Sequence, residues 1–263
     1  MTHKSHSHKS HSHKFHSPLY GRVVALDREV HAGLRLTGAS NLAFAAGLSA
    51  VPLLCAEFRD AAREYAIVFV HSADEGLMPA VLTGRPEGAN LYVDAAGRWN
   101  ARYIPAYVRR YPFVTARSAP EQYAVCIDAE CPGFDGADGA QLFAGNGEPT
   151  PLLNQVVRNL ADFQQYAQLT EAFTQRLQAA GVLTNVDAKM NHSDGRSLAL
   201  RGLCIVDEAR LHALPDATLR EWLVGGELAL IHAHLLSLGN LLQLLARQPA
   251  DETHSSDAPK SIQ

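Results

Sequence analysis

From Tyr20 to about Phe143, short runs of branched and aromatic residues alternate with polar positions and are broken by glycine and proline, a pattern that predicts strands and turns. Strands are expected at YGRVVAL, GLRLTG, AIVFVHS, MPAVLTG, NLYVD, PFVTAR and YAVCIDA. The run DAAGRW, directly after NLYVD, supplies the Asp and Gly of a reversal between strands. One helix interrupts this half. Leu54, Phe58, Ala61 and Tyr65 recur at steps of three and four behind Pro52, which places it over Leu53 to Tyr65.

Past Phe143 the period changes to that of helices. Thr150 followed by Pro151 is a favourable start, with a hydroxyl to cap free N–H groups and a proline at the first helical position. Val156, Leu160, Phe163, Ala167, Thr170, Phe173 and Leu177 then mark one long stripe, and Gly181 stands where a left-handed terminator belongs. SLALRGLCIVDE reads as a strand returning to the sheet. A short helix is expected from Pro215 to Val224, broken by Gly225-Gly226. In the last helix, GELALIHAHLLSLGNLLQLLA, the residues Leu228, Ile231, Leu235, Leu238, Leu242 and Leu245 share a narrow face expected to be buried. Glu227, His232, His234, Ser237, Asn240 and Gln243 interrupt the run too often for a membrane span, so no transmembrane segment is expected. This helix is either central to the domain or covered by another chain. His232 and His234, two residues apart, point to different sides and cannot jointly hold a metal.

These periods predict an α+β fold: a mostly antiparallel β-sheet N-terminal half, residues 20–145, packed against a helical C-terminal half, residues 150–248, in one domain between tails at 1–19 and 249–263. At 263 residues and 47% hydrophobic, the chain is long and apolar enough for a proper core. A net charge of -4 and a pI near 6.3 exclude a broad basic footprint, so nucleic acid is not an expected partner. Four scattered cysteines do not make a disulfide framework and are read as free thiols. The first residues hold a low-complexity tract with His3, His6, His8, His11, His13 and His16, able to bind transition metals weakly and unable to form a core. No metal is expected in the folded domain, and no cofactor. The tract lacks the apolar run of a secretory signal, so the chain is expected in the cytoplasm, with the cell surface reached only by a signal-independent route.

The stretches YGRVVALDREVHAGLRL, VPLLCAEFRDAAREYAIVF, GANLYVDAAGRWNARYIPAYVRRYPF, CIDAE, LFAGNGEPT, RGLCIVDE and GELALIHAHLLSLGNL, in this order, resemble the bacterial SapC family from about Tyr20 to Leu245. WNARYIPAYVRRYPF is the most specific part. The resemblance implies an association with bacterial surface layers. The preferred reading is a non-enzymatic accessory role there or at the cell envelope, through a protein partner or self-association. The alternatives are a small-molecule-binding protein or enzyme of unknown reaction with a site near Trp99 and Arg109, and metal binding by the His-rich start. A membrane permease of similar name would need spans that this chain lacks.

WNARYIPAYVRRYPF has two readings. Tyr103, Ile104, Tyr107 and Tyr111 lie at helical steps, with Pro105 to start a short helix and Pro112 to end it, so Arg109 and Arg110 would project outward. In one reading the rings and guanidiniums lock sheet to helices through Asp128 or Glu130. In the other, Trp99, Tyr103 and Tyr107 form a platform and Arg109 and Arg110 clamp an anionic group of a ligand or partner, which also admits a small-molecule site beside Trp99 and Arg109. Catalytic motifs are lacking: there is no Gly-rich phosphate loop, no nucleophile elbow and no H-E-x-x-H. Asp128, Glu130, Asp135 and Asp138 crowd one acidic loop without calcium-loop spacing.

Overall fold

The computed structural model describes residues 19–248, apart from 39–40, 73–75, 86–87, 120–121, 135, 137 and 192–196. Three antiparallel sheets are present among these residues. The strands β1 (Val23–Ala25), β2 (Arg35–Leu36), β3 (Ala50–Pro52), β4 (Ile67–Ser72), β5 (Gly76–Leu82), β6 (Phe113–Ala119), β7 (Gln122–Asp128), β8 (Ala140–Gln141), β9 (Leu183–Asn191) and β10 (Ser197–Val206) are ordered β3-β5-β4-β10-β9, β1-β7-β6 and β2-β8. The helices are α1 (Phe58–Ala61), α2 (Ala106–Arg109), α3 (Pro151–Ala179), α4 (Glu208–His212), α5 (Asp216–Gly225), α6 (Glu227–Ser237) and α7 (Leu241–Ala246). The fold is α+β, a sheet-rich first half against a helix-rich second half.

The helix α3 ties this architecture together. Its N-cap is Thr150, whose hydroxyl accepts the Leu153 N–H, and Gly181 adopts a left-handed φ of 67° just past its end. At 29 residues it is about 43 Å long, enough to reach two cores. Leu153 and Leu160 pack with Phe113, Ile127, Leu142 and Phe143 over the three-stranded sheet, while Phe173 and Leu177 join the larger core of the five-stranded sheet. Phe173 meets Phe58 edge-on at 5.9 Å and Phe69 at 6.5 Å. All three rings are buried, contributing roughly 2–3 kcal/mol each by leaving water.

Four sequence expectations are corrected. NLYVD is a turn, not a strand: Asn90 Oδ1 accepts the Tyr92 N–H and Asn90 Nδ2 donates to Ala45 O, leaving only a bridge between Val93 and Trp99 around Gly97. The helix expected over Leu53 to Tyr65 is limited to a 3-10 turn at Cys55–Glu57 and α1, and Pro52 ends β3, an edge strand where its missing N–H does no harm. The second half contributes two strands rather than one, because β9 pairs along β10, and β10 continues onto β4.

The fourth concerns the last helix. It is broken by a 3-10 turn at Leu238–Asn240 into α6 and α7, and its buried side is Glu227, Ile231, His234, Ser237, Asn240, Leu244 and Leu245. Of the expected leucine face, Ile231 and Leu245 are buried, Leu228, Leu235 and Leu238 are half-buried, and Leu242 is exposed. The physical cause is backbone satisfaction. Ser237 Oγ accepts the Ile67 N–H at 2.9 Å, and Asn240 Nδ2 donates to the carbonyls of Ala62 and Tyr65. Those groups have no ladder partner there, so the helix turns its polar edge inward. Residues Glu227–Ala246 are long and apolar enough to cross a membrane by length and composition, with a mean hydropathy of 1.5.

Candidate functional site

The aromatic and arginine stretch folds into two clusters on either side of α2. In the first, Glu57 is buried and gathers donors from three places. Its carboxylate reaches back to the Leu54 N–H at 2.9 Å, at the start of its own turn, and accepts the Tyr103 hydroxyl and the Ala106 N–H, each at 2.7 Å. The last of these fixes the N-terminus of α2. Arg109 lies 3.9 Å from the same carboxylate, 5.8 Å over the Tyr103 ring, and donates to Ile104 O. Trp99 donates its indole N–H to the Tyr65 hydroxyl at 2.8 Å and stacks beside Tyr92, while Tyr65 donates to Tyr103 O. Burial pushes the Tyr65 and Tyr103 phenols well above their ordinary range, so both are neutral donors.

The second cluster centres on Arg110. Its guanidinium sits 4.4 Å over Tyr107, 4.3 Å over Phe163 of α3 and 5.9 Å over Tyr20. Burial, working against the neighbouring guanidinium, pushes the Tyr20 phenol up to about 12. Below it, Tyr111 stacks on Phe44 at 3.9 Å and donates to Asp128. Asp128, buried at the end of β7, also accepts the N–H groups of Gly21, Arg22 and Glu130. Burial works to raise its pKa, but the N–H bonds outweigh that and hold the carboxyl below its ordinary range.

The family model for SapC matches residues 26–244, which takes in the Glu57 cluster, the Arg110 cluster except for Tyr20, Gly21 and Arg22, and nearly all of the helical half. The chain belongs to the SapC family. No curated protein and no solved structure matches it.

In this SapC-family chain the five residues singled out by sequence are split. Trp99, Tyr103 and Arg109 share the Glu57 cluster; Tyr107 and Arg110 share the other, and the two guanidiniums lie over different rings. Arg109 is exposed as expected, but Arg110 is half-buried between α2 and α3, because Phe163, Tyr107 and Tyr20 offer its flat cation three rings. The carboxylate that meets an arginine here is Glu57, not Asp128 or Glu130. Asp128 is taken up by backbone N–H groups, and Glu130 lies 4.0 Å from Arg22 at the surface. Sequence reading missed Glu57 as the hub. The signal was present in LLCAEF, a lone carboxylate three residues after Leu54 in an otherwise apolar run. His3, His6, His8, His11, His13 and His16 lie outside the described residues.

This asymmetry separates the two arginines experimentally. Arg110→Ala is expected to lower stability by about 2 kcal/mol, since it removes the cation and stem joining Tyr107 to α3. Arg109→Ala is expected to cost less than about 1 kcal/mol, its ion pair being long and its head half exposed. Urea titrations of the two variants decide it, and equal losses would remove Arg110 as the joint.

Around Trp99 and Arg109 the interior is filled by Tyr65, Tyr92 and Tyr103. An open depression of about 380 Å³ lies elsewhere, lined by residues including His31, Leu34, Arg35 and Phe134. A different feature faces outward from the helical half. Leu236 is 81% exposed and Leu242 62%, with Val224 and Leu223 exposed at the end of α5. The outer stripe Ala229, His232, Leu236, Gly239, Gln243 and Ala246 carries no formal charge. Arg247, just after α7, stacks 4.2 Å over Tyr92 and donates to Asn100 O, so this helix ends beside Trp99.

Proposed function

We propose that this SapC-family protein is an accessory protein of a bacterial surface layer or cell envelope that works by binding another protein, with the outer side of α5, α6 and α7 as the contact face. The observation that carries the reading is the exposure of Leu236, on an uncharged stripe of α6 and α7, and of Leu242 on α7, since isolated soluble domains seldom leave apolar helix faces in water. Trp99, beside Arg247, and its cluster partners Tyr103 and Arg109 would contribute at the rim, where aromatic and arginine side chains favour recognition, while Tyr107 and Arg110 sit in the separate cluster against α3. A surface-layer or envelope setting rests on family membership.

The test is affinity capture from the protein's own cells, with the envelope fraction kept separate, using the wild type and a variant carrying Leu236→Glu and Leu242→Glu. Both leucines are exposed, so the variant should keep its unfolding midpoint to within about 0.5 kcal/mol. The wild type is expected to retain one reproducible envelope protein and the variant to lose it. Equal retention by both would refute the face, and no retained protein would refute the role.

A further inference from the structure

The five-stranded sheet has a weak seam. The strands β4 and β10 pair with Phe69 opposite Cys204 and Val70 opposite Leu203, and then the ladder stops. Continued by two residues, the same register would set Ile67 against Val206. Between those two stands the imidazole of His234 from α6, fully buried: its Nε2 accepts the Val206 N–H at 3.1 Å, and its Nδ1–H donates to Ile67 O at 2.9 Å. Ser237 Oγ takes the Ile67 N–H and donates to His234 O. The ring is thus a spacer that completes a ladder by proxy. It can do so only as the neutral Nδ1–H tautomer, because an imidazolium carries an N–H on both nitrogens and would point one at the Val206 N–H.

The strand β9 is at the sheet's edge, so the β9–β10 hairpin joins the main sheet through this seam. We propose that His234 is a latch: docking of the β9–β10 hairpin on β4 is conditional on an uncharged imidazole, and acid releases the hairpin locally before the rest of the fold. Opening would expose the β4 edge from Ile67 to Val70, whose side chains are all buried. Burial holds the imidazole down at about 4, so the latch is shut at neutral pH. The sign follows from this depression. An opened hairpin returns the ring to its ordinary value of 6.5, so the open form binds the proton more tightly and gains as pH falls from 6.5 towards 4.

Nearby charges leave the ring alone. The ionisable side chains of α1 (Arg59, Asp60) and α5 (Asp216, Arg220, Glu221) are exposed, as are His71 on β4 and Arg201 on β10. Glu227 pairs with Arg176 of α3, and burial raises the Cys204 thiol, which donates to Asn185. Among the described residues none of these bonds to the His234 ring.

Cys204, buried at the seam, is the natural reporter. The full-length protein is treated with 4,4′-dithiodipyridine, a probe that reacts with thiols in mild acid, and the labelling of each cysteine is read by peptide mass spectrometry. Relative to a free thiol at the same pH, Cys204 labelling is expected to rise about thirtyfold between about pH 7.5 and about pH 5. Cys126 on β7 and Cys131, which follows that strand, are both buried and should stay within about twofold. A flat Cys204, or a rise shared equally by all three, would overturn the latch. His234→Gln, whose amide has an acceptor and a donor but no proton to gain, is expected to abolish the rise; an undiminished rise in that variant would overturn it as well. If that variant does not fold, the comparison of cysteines in the wild type decides alone.

Discussion

Glu57→Ala is expected to lower unfolding stability by about 4 kcal/mol, a large share of what a domain of this kind has. The carboxylate accepts the Leu54 N–H, the Ala106 N–H and the Tyr103 hydroxyl inside the protein, and alanine leaves all three donors without an acceptor. A buried donor stripped of its partner costs the full desolvation of the group, not the modest net worth of a hydrogen bond. Two of these donors also define geometry: one begins the turn at Cys55–Glu57 and the other begins α2. Glu57→Gln keeps the volume and one acceptor oxygen but turns an NH2 towards the remaining donors, so it should fall between, at about 2 kcal/mol. Guanidinium titrations of the three proteins check the order. A cost below about 1 kcal/mol for the alanine variant would mean that water replaces the carboxylate at no penalty, and the hub would lose its importance.

Asp128→Ala is the second large effect, at about 3 kcal/mol. Three N–H groups, from Gly21, Arg22 and Glu130, converge on this carboxylate with the Tyr111 hydroxyl. They pin the segment before β1 to the end of β7. The same bonds make this contribution depend on pH in a defined direction. The folded carboxyl titrates below its ordinary value of 3.8, so the unfolded chain takes up the proton first as pH falls. The stabilisation is therefore complete above that ordinary value and is lost on acidification through the depressed one. Thermal unfolding followed below about pH 4 should show the wild type losing stability more steeply than Asp128→Asn, which has no proton to bind there. Parallel slopes would show that Asp128 is not the group responsible.

The two hubs and Arg110 divide the work that the sequence suggested for one knot of rings and guanidiniums. Trp99 to Phe113 does sit where the halves meet: Phe163 lies on α3 between Leu160, in the smaller core, and Phe173, in the larger. The two adjacent arginines, however, have different duties. Arg110 is held against α3 by rings, while Arg109 stays at the surface beside Glu57. Adjacent residues at a helix end point about 100° apart, which is enough to send neighbours into separate environments.

Local chemistry determined much of this protein by itself. The cap at Thr150, the apolar stripe from Val156 to Leu177 and the left-handed Gly181 are written in residues a few positions apart, and α3 follows them. The strands β4, β5, β6 and β7 were legible for the same reason, as was membership of the SapC family from the order of its motifs. Which side of the last helix faces inward was decided only in three dimensions. Its leucines outnumber its polar residues, yet His234, Ser237 and Asn240 are buried while Leu236 and Leu242 meet water. An unpaired backbone group in a core costs more than an exposed leucine, and where those groups fall depends on how β4, β10 and α1 end against one another. That information is spread over residues 62 to 240 and is absent from any window of the chain.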